Sequence, residues 1–182
     1  MGRWEPDAES RFRAAALELF GEIGYEQTTV AAIAARAGLT ARTFFRYFAD
    51  KREVLFNGSE RLQQSMVDAL AQAPAEASAI DAITAALTKA GDFFDNDLRP
   101  FARLRSTVIA ANMDLREREL IKLATLSAAL AQALRARGGG EPEAGIAVFR
   151  VAFAQWVGES ERRDYGGIVK ESLARLRALA AS

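Results

Sequence analysis

Two arginines four residues apart, Arg42 and Arg46, stand in the stretch TARTFFRYF, on one face of the chain if the segment is helical. Arginine is the usual bidentate reader of guanine, because its planar fork of donors matches the two acceptors guanine shows in the major groove. Side chains suited to a phosphate backbone surround them. Thr29, Thr40 and Thr43 put hydroxyls where helices would begin, and Lys51 stands at the start of a later one. Between Thr28 and Arg52 the cations are Arg36, Arg42, Arg46, Lys51 and Arg52, and the only acid is Asp50, a local charge of +4 in a chain whose formal net charge is zero. Such a local excess is the electrostatic footprint of a DNA-facing surface.

Other chemistries are poorly served. The 182 residues contain no His and no Cys. That removes the commonest general base, the commonest metal ligands and every disulfide, leaving only carboxylate, Lys or Tyr catalysis. No metal site, cofactor or enzymatic activity is expected. Half of the residues are apolar, enough for one good core or a small module with a larger one, yet no run of about 18 apolar residues suggests a membrane span. The opening MGRWEPDAESRFR mixes charges and lacks an apolar stretch, so no secretory signal is expected and the cytoplasm is the default compartment.

The elements that must position Arg42 and Arg46 are helices. Phe12, Ala15, Ala16, Leu19, Phe20 and Ile23 recur at helical spacing, and Gly24 ends that run. Thr29 caps a short second helix with Val30, Ile33, Ala34 and Ala37 on its apolar face. Gly38 makes a tight turn, Leu39 plugs it, and Thr40 caps a third helix to about Phe48. Phe44 and Phe48 belong to the core by their spacing, Arg36 reads as a surface ion pair, and Arg52 and Glu53 serve the next helix start. Asp50 and Glu53 have capping-box spacing and open a long fourth helix through Leu55, Leu62, Met66 and Leu70. Further helical patterns cover roughly 78–95, 98–113, 115–137, 143–159 and 163–180. The prediction is an all-α protein of about nine helices: a three-helix helix-turn-helix module over residues 1–56 and a helical bundle over 57–182.

The string TTVAAIAARAGLTARTFFRYFADKREVLF, and the match from about Phe12 to Phe56, resembles the N-terminal domain of the TetR family of bacterial repressors. The start GRWEPDA and the run RTFFRYFADKREVLF resemble a subgroup common in actinobacteria. The resemblance implies that Ala41 and Arg42 reach base edges, that Thr43 and Tyr47 touch phosphates, that Phe45 and Arg46 face the groove, and that Thr29 and Lys51 bind phosphate. Phe45 departs from the Tyr most common at its position, so base preference is not inherited. Arg3 and Trp4 are candidates for an arm into the minor groove.

The same resemblance implies an effector site in the C-terminal helices and dimerisation through the last two. Ile146, Phe149, Phe153 and Trp156 form one helical stripe, and Leu173, Leu176 and Leu179 or Ala180 another; paired with a second copy they would complete a four-helix bundle. Candidate effector residues are Phe93, Phe94, Phe101, Leu104, Arg105, Val108, Met113, Phe153 and Trp156, with Arg103 and Arg105 available to an anionic headgroup. The segment RLRSTVIAANMDLRERELIKLATLSAALAQALRARGG resembles a C-terminal type associated with acyl-CoA-like effectors. The expectation is a homodimeric repressor on a palindromic operator, released by a small hydrophobic, acyl-CoA-like effector, with the long fourth helix as its lever. A helical adaptor and a carboxylate-dependent helical enzyme are the rival classes. Salt dependence of DNA affinity separates the first and turnover of a substrate the second.

Overall fold

The computed structural model describes residues 7–94, 98–138, 143–158 and 163–180. It is all-α, with α1 (Ala8–Glu22), α2 (Val30–Arg36), α3 (Ala41–Phe44), α4 (Glu53–Phe56), α5 (Ser59–Gln72), α6 (Ala79–Lys89), a 3-10 turn (Ala90–Phe93), α7 (Arg99–Ala111), α8 (Met113–Ala136), α9 (Glu143–Gly158) and α10 (Tyr165–Ala180). No described helix is long and apolar enough to cross a membrane. The Arg3–Trp4 arm lies outside the described residues.

The expected fourth helix is two helices. Asn57 is extended and Gly58 sits at φ 86°, ψ −9°, a left-handed conformation that a side chain resists, so α4 ends and α5 starts afresh. A lever continuous from Asp50 to Leu70 is therefore not present. The sequence signal was the unbroken apolar spacing; the backbone followed the glycine instead.

The chain forms two compact units. The first comprises residues 1–57 together with 104–119, the second 58–103 with 120–182. The division expected at residue 56 placed every later helix in one body. The corner between α7 and α8 groups instead with the N-terminal segment, and named contacts explain why. Leu104 lies where a side chain on Gly21 would meet it at 3.3 Å. Arg105 donates to the Leu55 carbonyl at 2.6 Å, lies over the Phe56 ring and pairs with Glu119 at 3.4 Å. Arg118 pairs with Glu53 at 2.5 Å.

The core of the second unit draws Met66 and Leu70 from α5, Ile83 and Leu87 from α6, Leu126, Leu130 and Leu134 from α8, Phe149 and Trp156 from α9, and Ile168 and Leu173 from α10. Each such side chain contributes about 1.5–3 kcal/mol on burial. The two stripes expected to meet a second copy are largely absorbed here: Phe149, Trp156 and Leu173 are buried within the protomer, while Ile146 and Phe153 pack partly against the same core. Leu176 remains exposed, and the side chains of Leu179 and Ala180 lie outside the described residues. Helical spacing shows that residues share a face without showing what covers it, and a nearer partner took this one. Arg137 fastens the end of α8 by donating to the Ala73 and Pro74 carbonyls at 2.7 and 2.6 Å.

Candidate nucleic-acid interface

The first unit builds its exposed surface from an aromatic core outward. Phe12 of α1 is fully buried and meets Phe44 edge-on at 5.2 Å and Phe48 at 6.2 Å between ring centroids. Phe44 and Phe48, four apart, are held 5.1 Å from each other. Two anchors on one side of the helix force the intervening residues outward: Phe45 is 59% exposed and Tyr47 41%, and Arg42 and Arg46 are exposed beside them. Ala41 and Thr43 are half-buried.

The turn before this helix is fixed by short-range bonds. Gly38 takes φ 65°, and Leu39 donates from its backbone to the Ala34 carbonyl at 2.9 Å while its side chain is half-buried. The Thr29 hydroxyl accepts from Ala32 N–H and the Thr40 hydroxyl from Thr43 N–H, both at 3.1 Å, so both threonines cap their helices. Thr40 and Thr43 hydroxyls also lie 2.9 Å apart. Regular helix ends at Phe44, but backbone bonds continue to Phe48, which donates to the Phe44 carbonyl at 3.0 Å. A bond missed from the sequence is that of Arg11, whose guanidinium reaches the Ala37 carbonyl at 2.6 Å. At a sequence separation of 26, no local pattern signals it.

The local charge of +4 is distributed unevenly. Arg36 pairs with Glu22 at 2.7 Å and Glu18 at 3.3 Å, binding α2 to α1 as a surface ion pair. Arg52 pairs with Asp50 at 2.6 Å. Burial works to raise the Asp50 carboxyl, but hydrogen bonds from Arg52 and from the Arg52 and Glu53 backbone outweigh it and hold the group below the usual carboxylate range. The expected capping box does not form: Arg52 is the N-cap residue of α4, Asp50 accepts from the Arg52 and Glu53 N–H groups ahead of it, and the Glu53 carboxylate turns to Arg118 instead of reaching back. What remains facing outward is Arg42 and Arg46. Arg46 donates to the Tyr47 hydroxyl at 3.1 Å and its guanidinium lies 5.1 Å from that ring.

Lys51, expected to clamp a phosphate, is engaged elsewhere. Its ammonium donates to the carbonyls of Tyr25, Thr28 and Glu26 at 2.8, 3.1 and 3.4 Å and lies 4.2 Å from the Tyr25 ring centroid. Burial pushes the Tyr25 hydroxyl up to about 12, which keeps the ring neutral beneath the cation. The three donors of the ammonium thus have three backbone acceptors, the third at a long 3.4 Å, and a phosphate would compete with them. Lys51→Ala should therefore lower the unfolding midpoint, by about 1–3 kcal/mol for the orphaned carbonyls, and leave the salt slope of DNA affinity unchanged. A slope lower by about one would assign a phosphate contact instead.

The candidate effector residues are divided between the two units. Leu104, Arg105, Val108 and Met113 fall in the first unit, where Arg105 holds the Leu55 carbonyl, Val108 is buried and Met113 is 81% exposed. Phe93, Phe94, Phe101, Phe153 and Trp156 fall in the second unit, and the structure brings Phe94, Phe153 and Trp156 together, adding Phe149 and Tyr165. Phe93 is exposed and Phe101 half-buried. Arg103 donates to the Val157 carbonyl. The spacing along α7 was continuous, but its two ends serve different units.

Residues 12–57 match the model of the bacterial regulatory proteins of the tetR family. The HTH-type transcriptional regulator TcmR of Streptomyces glaucescens is 41% identical over 71 residues, a match spanning 39% of this chain and 31% of that protein's length. The TetR transcriptional regulator from Nitrosomonas europaea superposes with a TM-score of 0.65 at 15% identity, over 97% of this chain and all of its own. The transcriptional regulator FadR of Bacillus subtilis, solved with stearoyl-CoA, gives 0.58 at 22% identity over 92% of this chain and 96% of its own. At these identities the structural likeness speaks for the fold, and the matched domain for the kind of module that α1 to α4 build. By that match residues 12–57 form a TetR-type N-terminal domain, and the chain as a whole shares the fold of solved TetR-family regulators.

Proposed function

We propose that the chain is a cytoplasmic, homodimeric transcriptional repressor that binds a palindromic operator and is released by a small hydrophobic effector. The observation that carries the reading is the exposed row Arg42, Phe45, Arg46 and Tyr47, held outward by the buried Phe12, Phe44 and Phe48. A helix so presented fits the major groove, with Arg42 and Arg46 on base edges, Phe45 against a thymine methyl or sugar, Ala41 close to the bases, and the Thr29, Thr40, Thr43 and Tyr47 hydroxyls on phosphates. The test is a titration of purified protein against operator-bearing genomic fragments at several salt concentrations. A steep fall in affinity with salt is expected; a flat one contradicts a DNA-binding role.

Two recognition helices meet successive major grooves only if a dimer spaces them by about 34–36 Å. The surface that supports this role is the outer line of α9: Ala147, Val151, Ala154 and Gly158 recur at helical spacing and are exposed, with Val151 58% exposed. Small side chains let a facing helix come close. Val151→Arg should convert a dimer into a monomer at micromolar concentration by sedimentation while leaving the unfolding midpoint of the protomer unchanged. An unaltered dimer would place the interface elsewhere.

For the effector, the C-terminal resemblance points to a small hydrophobic molecule, and the Bacillus regulator of like fold was solved with stearoyl-CoA. The aromatic group around Phe94, Phe153 and Trp156 supports an apolar site within the second unit. Release requires that the effector bind better to a conformation whose two heads are wrongly spaced for DNA.

A further inference from the structure

We propose that the effector site of the second unit is the aromatic cage now filled by the Phe94 ring, and that it takes a planar aromatic molecule bearing a hydrogen-bond acceptor, received by Tyr165 and Trp156. This rests on the effector-released reading above and replaces the acyl-chain expectation within it.

The cage is defined by distances. The Phe94 ring lies 4.6 Å from Tyr165, 5.2 Å from Phe153, 5.5 Å from Trp156 and 6.2 Å from Phe149, centroid to centroid. All four fall in the separation of about 4.5–7 Å that aromatic pairs prefer. One flat ring thus already occupies the place a flat ligand would take. The walls stand on helices, with Phe149, Phe153 and Trp156 on α9 and Tyr165 on α10. Phe94 follows the 3-10 turn, its backbone N–H donating to the Gly91 carbonyl at 2.9 Å, and its side chain is only half-buried against the core. In this proposal the ligand displaces that one ring and takes its place between the helices.

The polar atoms specify the class. Trp156 and Tyr165 are each 1% exposed, and the indole N–H and phenol O–H are buried with no hydrogen-bond partner among the described residues. Buried donors are nearly always satisfied, and two orphans bordering one displaceable ring imply that the acceptor arrives with something else. Burial pushes the Tyr165 hydroxyl above its ordinary pKa, so it stays a donor at physiological pH. A ketone, quinone or carboxylate on an aromatic ring would meet such a donor. A saturated acyl chain has no acceptor along its length and leaves both donors orphaned, and sites built to bond a polar group discriminate strongly against ligands that lack it.

The experiment uses the full chain with Trp4→Phe, which leaves Trp156 the sole tryptophan reporter. The probes are 9-fluorenone, its ketone-free isostere fluorene, and lauroyl-CoA. Expected are saturable quenching of Trp156 by fluorenone, binding of fluorene at least tenfold weaker, and loss of that preference in Tyr165→Phe, whose own unfolding midpoint is unchanged or higher because only an unpaired hydroxyl is removed. Phe94→Ala should bind fluorenone more tightly than the parent. Equal binding of fluorenone and fluorene, or no binding of either to the parent and Phe94→Ala, overturns the proposal. Lauroyl-CoA quenching without fluorenone quenching overturns the aromatic class yet leaves the repressor reading intact, since operator binding is measured separately.

Discussion

Phe44→Ala should cost about 3–5 kcal/mol, the range for emptying a buried Phe position, and should abolish operator binding without removing any DNA contact. Phe44 is fully buried and its ring has Phe12 at 5.2 Å, Phe48 at 5.1 Å and Phe45 at 5.6 Å. Its truncation leaves α3 attached to α1 mainly through Phe48, and a domain's whole stability is only about 5–15 kcal/mol. Phe45→Ala supplies the contrast. That side chain is 59% exposed, so its loss should change the unfolding midpoint by less than about 0.5 kcal/mol while still weakening DNA binding. Urea unfolding alongside operator titration checks both variants. An unchanged midpoint for Phe44→Ala would mean that the aromatic core is not what sets the recognition helix.

The helix-turn-helix was legible because its signals are local. Thr29 and Thr40 cap the helices they precede, and Gly38 turns where a left-handed residue was needed. Phe44 and Phe48 are core by their spacing of four. The electrostatics were legible only as a total. Counting charges cannot show that Glu18 and Glu22 on α1 take up Arg36, or that Lys51 reaches back to the carbonyls of Tyr25 and Thr28. Those partners lie 14 to 26 residues away, beyond any pattern of period 3.6.

The second unit was harder for a related reason. Periodicity put Phe149, Phe153 and Trp156 on one face correctly, but it does not say which neighbour covers the face. Tyr165 was missed altogether. It opens α10 after a polar stretch and shares no stripe with α9, so only the fold brings it to Phe94 at 4.6 Å. The division of α7 was equally hidden. Phe101 and Leu104 are three residues apart on a single helix, yet they belong to different units. A ligand pocket is assembled across elements, and a list of apolar residues along one element cannot define it.

Arg42→Ala and Arg46→Ala should each relax base preference at one position of the half-site, but not equally. A bidentate arginine–guanine contact is worth about 1–3 kcal/mol of discrimination, or roughly 5- to 150-fold. A symmetric dimer presents each arginine twice, so loss at a full palindromic operator should approach about 2–6 kcal/mol if the half-sites act independently. Arg46 begins from an occupied state: it donates to the Tyr47 hydroxyl at 3.1 Å and lies 5.1 Å from that ring. An exposed cation–π contact is worth about 0.5–1 kcal/mol, and Arg46 must give it up to read a base. Its net contribution is smaller by about that amount, which orders the two variants with Arg42→Ala the more damaging. Tyr47→Phe keeps the ring and removes the hydroxyl. It should weaken operator binding through the lost phosphate donor less than either arginine change does. Affinities of the three variants for the operator and for single-base substitutions at every half-site position decide the assignment. Arg42→Ala should lose discrimination at a single pair of symmetry-related positions and retain it elsewhere. Uniform weakening at all positions would make Arg42 a phosphate contact, and an unaltered preference in both arginine variants would remove the Arg42–Tyr47 surface from the groove.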